Sequence, residues 1–136
     1  MSYLLDTNIV TAILKKNERI NKKLGEVDIQ GEAVFISVIT YYEVQRGLLA
    51  VNAIRQLSDF NMLCQEYEVL LLDAIEIIER ASEIYADLKQ RGRLIQDTDI
   101  LIAATAITRG LILVSDDSDM QRVSGITVEN WIRAER

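Results

Sequence analysis

The chain has 136 residues, 49% of them hydrophobic and 26% charged, which predicts a single domain over residues 1–136 with enough apolar material for a core. It has no histidine and one cysteine, Cys64, which excludes an internal disulfide, zinc sites of the usual ligand types and Ser-His or Cys-His catalytic pairs. The net charge of −6 argues against nucleic-acid binding through a broad basic surface, and it is compatible with an acidic metal-binding crevice.

Apolar stretches rich in β-branched residues alternate with stretches of helical period. This alternation predicts an α/β fold with a mostly parallel central sheet flanked by helices. The predicted strands are residues 3–6, 34–38, 67–72 and 111–115, with an edge strand at 126–128.

Helices are predicted to begin near Asn8 and near Tyr41, the second continuing as further helix to about Glu66. Residues 74–90 carry an amphipathic stripe. The stretch 99–109, "DILIAATAITR", is apolar almost all round and stops at a glycine, which predicts a buried helix lying against the sheet. No stretch reaches the roughly 18 apolar residues of a membrane span and no export segment is evident, so we expect a cytoplasmic protein without a membrane partner.

Acidic residues stand at the junctions of this predicted sheet with its helices. They occupy the end of the first strand, the start of the helix after the second strand, the start of the buried helix, and the turn after the fourth strand. In that order they are Asp6, Glu43, Asp99, and the group Asp116, Asp117 and Asp119. Because parallel strands end at one edge of a sheet, these acids are expected to meet there.

Each acid also has a purely structural explanation. Asp6 is a favoured cap for the helix near Asn8, and Glu43 suits a helix dipole. Asp97 or Asp99 would cap the buried helix, and "SDDSD" is typical of an acidic turn. The joint arrangement favours a shared site, because capping alone requires one small polar residue per helix.

Four blocks in order along the chain resemble the PIN-domain ribonucleases, and more narrowly the VapC toxins of bacterial toxin-antitoxin pairs. They are "YLLDTNIV" at the start, "ISVITYYEVQRGL" at 36–48, "GRLIQDTDILIAATAI" at 92–107, and "LILVSDDSDM" followed by "GITVENW" near the end. The resemblance implies a PIN-like three-layer domain covering nearly the whole chain.

The resemblance assigns the catalytic acids by position. The family pattern places its acids at Asp6, Glu43, Asp99 and Asp117, of which Asp6, Asp99 and Asp117 would bind metal. The neighbouring Asp119 is an alternative fourth acid. Supporting polar residues that orient the acids or the attacking water fall at Thr7, Asn8 and Ser115.

Two aspartates compete for the third position. The D-x-x-I-A-A step of the family selects Asp99, and helical spacing places Ile102, Ala103 and Ala106 on its face. Asp97 is predicted to be the N-cap of that helix.

The resemblance also implies chemistry and partners. It implies a Mg²⁺-dependent endoribonuclease, with Mn²⁺ as the alternative ion, that hydrolyses RNA with a metal-activated water and leaves a 5′-phosphate and a 3′-hydroxyl. The implied partners are RNA, a VapB-like antitoxin and a second copy of the chain. Basic residues are candidates for the approach to the site, although solvated helix faces explain most of them: Lys15, Lys16, Arg46, Lys89, Arg91 and Arg93.

Other classes fit less well. A haloacid-dehalogenase-type phosphatase needs an aspartate where Asn8 stands, and a receiver domain needs an acidic pair that the first strand lacks. A noncatalytic domain or a DNA-directed nuclease of the same fold are the alternatives that the sequence leaves open.

Overall fold

A five-stranded sheet runs through the protein, which a computed structural model describes for residues 1–133. Its strands are β1 (Ser2–Leu5), β2 (Ala33–Ser37), β3 (Glu68–Leu70), β4 (Ile112–Val114) and β5 (Val128–Glu129). They lie in the order β3-β2-β1-β4-β5, and every pairing is parallel. The carboxyl ends of β1, β2 and β4 therefore meet at one edge of the sheet.

Helices connect these strands and cover both faces of the sheet. They are α1 (Thr7–Leu14), α2 (Glu18–Ile29), α3 (Val38–Ala50), α4 (Ile54–Glu66), α5 (Ile75–Gln90) and α6 (Asp97–Thr108), with a 3₁₀ helix at Ser118–Arg122. None of the helices in residues 1–133 combines the length and apolar composition of a membrane span.

Alternate side chains of β1 enter two separate cores. Leu5 packs in one core with Val10 of α1 and Phe60 of α4. Leu4 points to the opposite face and packs in a second core with Ile102 of α6. Each of these buried side chains stabilises the fold by about 1.5 to 3 kcal/mol relative to an exposed one. The result is the predicted three-layer α/β architecture with a parallel central sheet.

Helix α2 is missing from the sequence prediction. Its buried face consists of Ile20, Leu24 and Val27, spaced by four and three residues, and the rest of the helix is mostly polar. Asn17 caps it, because its Oδ1 accepts a hydrogen bond of 3.1 Å from the backbone N–H of Ile20. Such a narrow apolar stripe gives a weak periodic signal in a charged stretch.

Helix α3 begins earlier than predicted, at Val38 instead of near Tyr41. Ser37 ends β2 and caps the helix, since its Oγ accepts a hydrogen bond of 3.1 Å from the N–H of Ile39. Glu43 therefore lies in the second turn of α3 and does not open the helix as predicted.

Helix α6 begins at Asp97, and its N-cap is Gln96. The prediction that Asp97 is the N-cap is wrong, because it is the first helical residue and makes no capping hydrogen bond. The predicted end at Gly110 is confirmed, with a φ of 67° and an N–H that donates to the carbonyl of Ile107. That residues 1–136 form one domain stays a prediction.

Candidate active site

Asp6 lies at the carboxyl end of the central strand, where it ends β1 and caps α1. Its backbone N–H donates to the carbonyl of Val114 at 2.9 Å, which extends the pairing with β4 by one residue. Its Oδ1 accepts a hydrogen bond of 2.8 Å from the N–H of Thr7. Only 2% of Asp6 is exposed. Capping and a place in the site are therefore compatible functions of one side chain.

Ser115 and Asn8 tie Asp6 to the turn that follows β4. The hydroxyl of Ser115 donates to Asp6 Oδ2 at 2.7 Å and accepts from the N–H of Asp117 at 3.0 Å. Asn8 Oδ1 accepts from the N–H of Asp116 at 3.0 Å, and Asn8 Nδ2 lies 3.4 Å from both Asp6 Oδ2 and Ser115 Oγ. These bonds hold the two aspartate-bearing segments in register.

Glu43 reaches the site from α3 and is positioned by Thr7. The Thr7 hydroxyl donates to Glu43 Oε1 at 2.7 Å and lies 3.2 Å from the hydroxyl of Thr40. Glu43 Oε2 lies 3.8 Å from Nη2 of Arg46. Glu43 is therefore close enough for its charge to raise the pKa of Asp6, the residue that precedes Thr7 in the chain.

Asp99 approaches from the first turn of α6 and is half-buried. Burial is the largest cause that raises its pKa, from 3.8 to about 6. The negative charges of neighbouring acids add to this rise, and they are Asp6, Asp117, Glu43 and Asp119. Within residues 1–133, no hydrogen-bond donor contacts its carboxylate. Of the other acids predicted to meet at this edge of the sheet, all but Asp116 therefore act on the pKa of Asp99.

Burial also raises the pKa of Asp6. The hydrogen bonds from Ser115 and Thr7 act in the opposite direction, while the charges of Asp117 and Glu43 raise the pKa further. Mutual repulsion of this kind is expected of carboxylates gathered around the place of a cation.

Asp117 and Asp119 differ in their surroundings. Asp117 caps the 3₁₀ helix, since its Oδ1 accepts from the N–H of Asp119 at 2.9 Å. The carboxylate of Asp119 forms an ion pair of 3.1 Å with Arg122, whereas Asp117 has no cationic partner among residues 1–133. These surroundings favour Asp117 over Asp119 as the fourth acid, which stays a prediction.

Several basic residues predicted to line the approach have other partners. Lys16 pairs with Asp59, Arg91 pairs with Asp87, and Lys89 lies over the ring of Tyr85. Lys15 lines a groove that also contains Thr7 and Glu43, and Arg46 pairs with Glu43. The sequence did not point to Asn130 and Arg133, which both contact Asp116 from the segment after β5.

The donor set fits a hard divalent cation. Carboxylate oxygens are the ligands that Mg²⁺ and Mn²⁺ prefer. After burial, the charges of neighbouring acids are a further cause that raises the pKa of both Asp6 and Asp99, as expected where carboxylates lie close together. Among the described residues, no three acidic side chains are already placed to hold one ion. Binding would therefore require these side chains to close around the cation.

Known proteins resemble this chain in sequence and fold. The PIN domain family model matches residues 3–126. Ribonuclease VapC1 of Methanocaldococcus jannaschii is 38% identical over 78% of this chain and 68% of its own length, and Ribonuclease VapC2 of Haemophilus influenzae is 29% identical over 97% and 99%. The structure of VapBC2 from Rickettsia felis bound to a promoter DNA fragment superposes with a TM-score of 0.89 at 25% identity, over 96% of this chain and 99% of that one. The chain therefore belongs to the PIN-domain family and, within it, to the VapC ribonucleases.

Proposed function

We propose that this protein is a metal-dependent endoribonuclease and the toxin of a type II toxin-antitoxin pair. One observation carries the proposal. Acids from three other segments of the chain surround Asp99 closely enough to raise the pKa of its carboxyl group, in addition to the larger effect of burial. Their place at the carboxyl edge of a parallel sheet is where open α/β folds bind ligands.

Asp6, Asp99 and Asp117 are the residues that would hold Mg²⁺, with Mn²⁺ as the alternative ion. Bound there, the ion would activate a water molecule and offset negative charge on the scissile phosphate. In a chain without histidine, this chemistry replaces the commonest general base.

The side chains around the acids have positioning functions in this proposal. Ser115 and Asn8 fix the orientation of Asp6 Oδ2, and Thr7 fixes Glu43 Oε1. Glu43 Oε2 has only the distant Arg46 as a partner among the described residues, so it is the group we assign to accept the proton of the attacking water. The products would carry a 5′-phosphate and a 3′-hydroxyl.

The proposed partners follow from the same family. The Rickettsia felis structure is a VapBC complex, so we propose a VapB-like antitoxin as the partner of this chain. We also propose a homodimer with a second copy of the chain, as the family resemblance implies. The proposed location is the cytoplasm, where its RNA substrate is present.

Removal of divalent metal tests the proposal. Purified protein is expected to cleave single-stranded RNA in millimolar Mg²⁺, to lose cleavage in EDTA, and to regain it when Mg²⁺ is added in excess, because Asp6, Asp99 and Asp117 need the ion to bind the phosphate. Cleavage is measured on gels together with the chemistry of the 5′ ends. Cleavage that resists EDTA would refute the metal mechanism. Cleavage of DNA but not RNA, or of neither, would support the alternative functions.

A pair of variants tests the fourth acid. Asp117→Asn is expected to lower the cleavage rate at least about 10-fold, while Asp119→Asn lowers it less than about threefold, because Asp119 already pairs with Arg122. Asparagine at position 117 can still cap the 3₁₀ helix, so the fold persists. Initial rates at saturating Mg²⁺ compare the two variants. If Asp119→Asn is the more damaging change, Asp119 is the ligand.

A further inference from the structure

A basic cleft of about 400 Å³ lies between α2 and the segment that follows β5. Arg19, Lys22 and Lys23 of α2 form one wall, and Trp131 and Arg133 line the other side. Lys22 and Lys23 follow Arg19 by three and four residues, so both lie beside Arg19 on the surface of the helix. We call these five residues the basic cleft.

The basic cleft is continuous with the candidate active site. A second cleft, of about 430 Å³, contains Ser115 and Asp117. Asn130 and Arg133 line both clefts. Arg133 Nε also lies 3.1 Å from Asp116 Oδ1, which places this guanidinium at the junction. A path therefore leads from Asp117, one of the predicted metal-binding acids, to the cations of α2.

The cations of α2 are available for a ligand. In the part of the chain that the structure describes, neither Arg19, Lys22 nor Lys23 forms an ion pair, in contrast to Lys16 and Arg91. Concentrated positive charge without partners is notable in a protein with a net charge of −6.

Two carboxylates also line the basic cleft, Glu26 and Glu129. Glu129 is turned towards the cleft floor, where its Oε1 accepts a hydrogen bond of 3.1 Å from Nε1 of Trp131. Arg133 already pairs with Asp116, but the three cations of α2 still outnumber these two acids, so the cleft keeps an excess of positive charge and suits an anion.

Trp131 forms the floor of the cleft and does not offer a free stacking surface. It is 6% exposed, and its ring lies edge-on to Tyr3 at 5.2 Å between centroids. A nucleobase could therefore not stack on it as bases stack on exposed aromatic rings. The cleft offers charge, which suits phosphates.

We propose that the basic cleft binds backbone phosphates of the RNA strand beside the phosphate that is cleaved. This inference rests on the proposed function and extends it to how an acidic protein holds a polyanion. The acids would engage the scissile phosphate through metal, and Arg133 would lead the strand to Arg19, Lys22 and Lys23. An acidic protein segment would also suit these cations, but continuity with the candidate acids favours RNA.

Neutralising the α2 wall tests the proposal. The variant Arg19→Gln/Lys22→Gln/Lys23→Gln is compared with Arg55→Gln/Arg80→Gln/Arg109→Gln, which removes the same charge from exposed positions on α4, on α5 and at the end of α6. Both are made with Asp6→Asn to prevent cleavage. Binding of a fluorescent single-stranded RNA of about 15 nucleotides is measured by anisotropy in Mg²⁺ between about 50 and 200 mM salt.

The α2 variant is expected to raise the Kd for RNA at least about 10-fold and to reduce the slope of log K against log salt by about 2, since each phosphate contact contributes about 0.7. The control variant should change neither the Kd for RNA nor the salt dependence of binding by a comparable amount. Equal affinities for the two variants would overturn the proposal. Unchanged RNA affinity with loss of antitoxin binding would overturn it in favour of an acidic segment of that partner.

The same substitutions without Asp6→Asn separate this inference from the proposed function. A wild-type protein that does not cleave RNA would refute the proposed function, while the binding comparison would still test the cleft. A wild-type protein that cleaves RNA, with the α2 variant equal to the control in KM, would refute the cleft alone. Melting temperatures of the variants check that each is folded.

Discussion

Asp6→Asn is expected to lower RNA cleavage by at least about 100-fold while the protein stays folded. Residues that only support a metal ligand typically contribute 10- to 100-fold, and Asp6 is proposed to be a ligand itself. It is also the most buried of the predicted acids and the centre of the hydrogen bonds from Thr7 and Ser115.

The fold should tolerate this change because asparagine has the same size and can keep the main contacts. Its amide oxygen can accept from the N–H of Thr7 as Asp6 does, and the Ser115 hydroxyl can rotate to accept from the new amide group. The substitution also removes a buried charge whose pKa is raised by burial. We therefore expect the metal-free variant to melt no lower than the wild type.

Asp73→Asn is a suitable control for Asp6→Asn. Asp73 is exposed and pairs with Arg109 at the surface, where an ion pair contributes about 0 to 1 kcal/mol. Cleavage rates and melting temperatures of both variants are compared with the wild type. A folded Asp6→Asn protein that cleaves RNA at the wild-type rate would contradict the assigned site.

The position of Asp6 could be predicted from the sequence because the end of a strand, the start of a helix and a proposed metal ligand coincide at this residue. An apolar strand that runs into "DTN" places the carboxylate at the sheet edge whatever the remaining topology. The geometry is compatible both with Asp6 as a helix cap and with Asp6 as a metal ligand. The two interpretations of the sequence are therefore not alternatives.

For Glu43, the local sequence pattern predicts the wrong position within helix α3. No local pattern indicates that Ser37 caps α3, so Glu43 is predicted at the helix start, whereas the helix begins at Val38. One further turn carries the Glu43 side chain to Thr7. A carboxylate with the longer stem of glutamate can reach the edge from the second turn.

The basic cleft could not be predicted from the sequence pattern, because its residues come from distant parts of the chain. Arg19, Lys22 and Lys23 belong to a helix with a weak apolar stripe, and Arg133 comes from the opposite end of the chain. Their proximity depends on β5 joining the sheet beside β4 and on Trp131 packing against Tyr3. Such contacts arise from tertiary packing, which has no local periodic signal.

Asp99→Asn is expected to lower the rate of RNA cleavage by at least about 100-fold, as for Asp6→Asn. It is also expected to make the metal-free protein more stable near pH 7.5. The pKa of Asp99 is raised from 3.8 to about 6, so folding disfavours its charged form. The penalty is absent below about pH 4, where the group is protonated in both states, and it grows until about pH 6. Above about pH 6 the loss of folding stability caused by the charged Asp99 has reached its full size, and an asparagine at this position does not cause that loss.

The raised pKa of Asp99 predicts the results of two melting experiments. In EDTA, the wild type should gain stability from Asp99 as the pH falls from 7 towards 5, and Asp99→Asn should lack that gain. At pH 7.5, millimolar Mg²⁺ should raise the melting temperature of the wild type more than that of Asp99→Asn, because an ion that binds the folded state stabilises it. Equal shifts with Mg²⁺ would argue against Asp99 as a ligand.

Asp97→Asn is the matched control for Asp99→Asn, because both residues lie in the first turn of α6. Asp97 is exposed and makes no capping hydrogen bond, so its loss should cost only the helix-dipole interaction, about 0.3 to 1 kcal/mol. Asp97→Asn should therefore retain most of the cleavage activity and the full stabilisation by Mg²⁺. An inactive Asp97→Asn beside an active Asp99→Asn would mean that the third metal ligand is Asp97, and that the first turn of α6 faces the site differently when the ion binds.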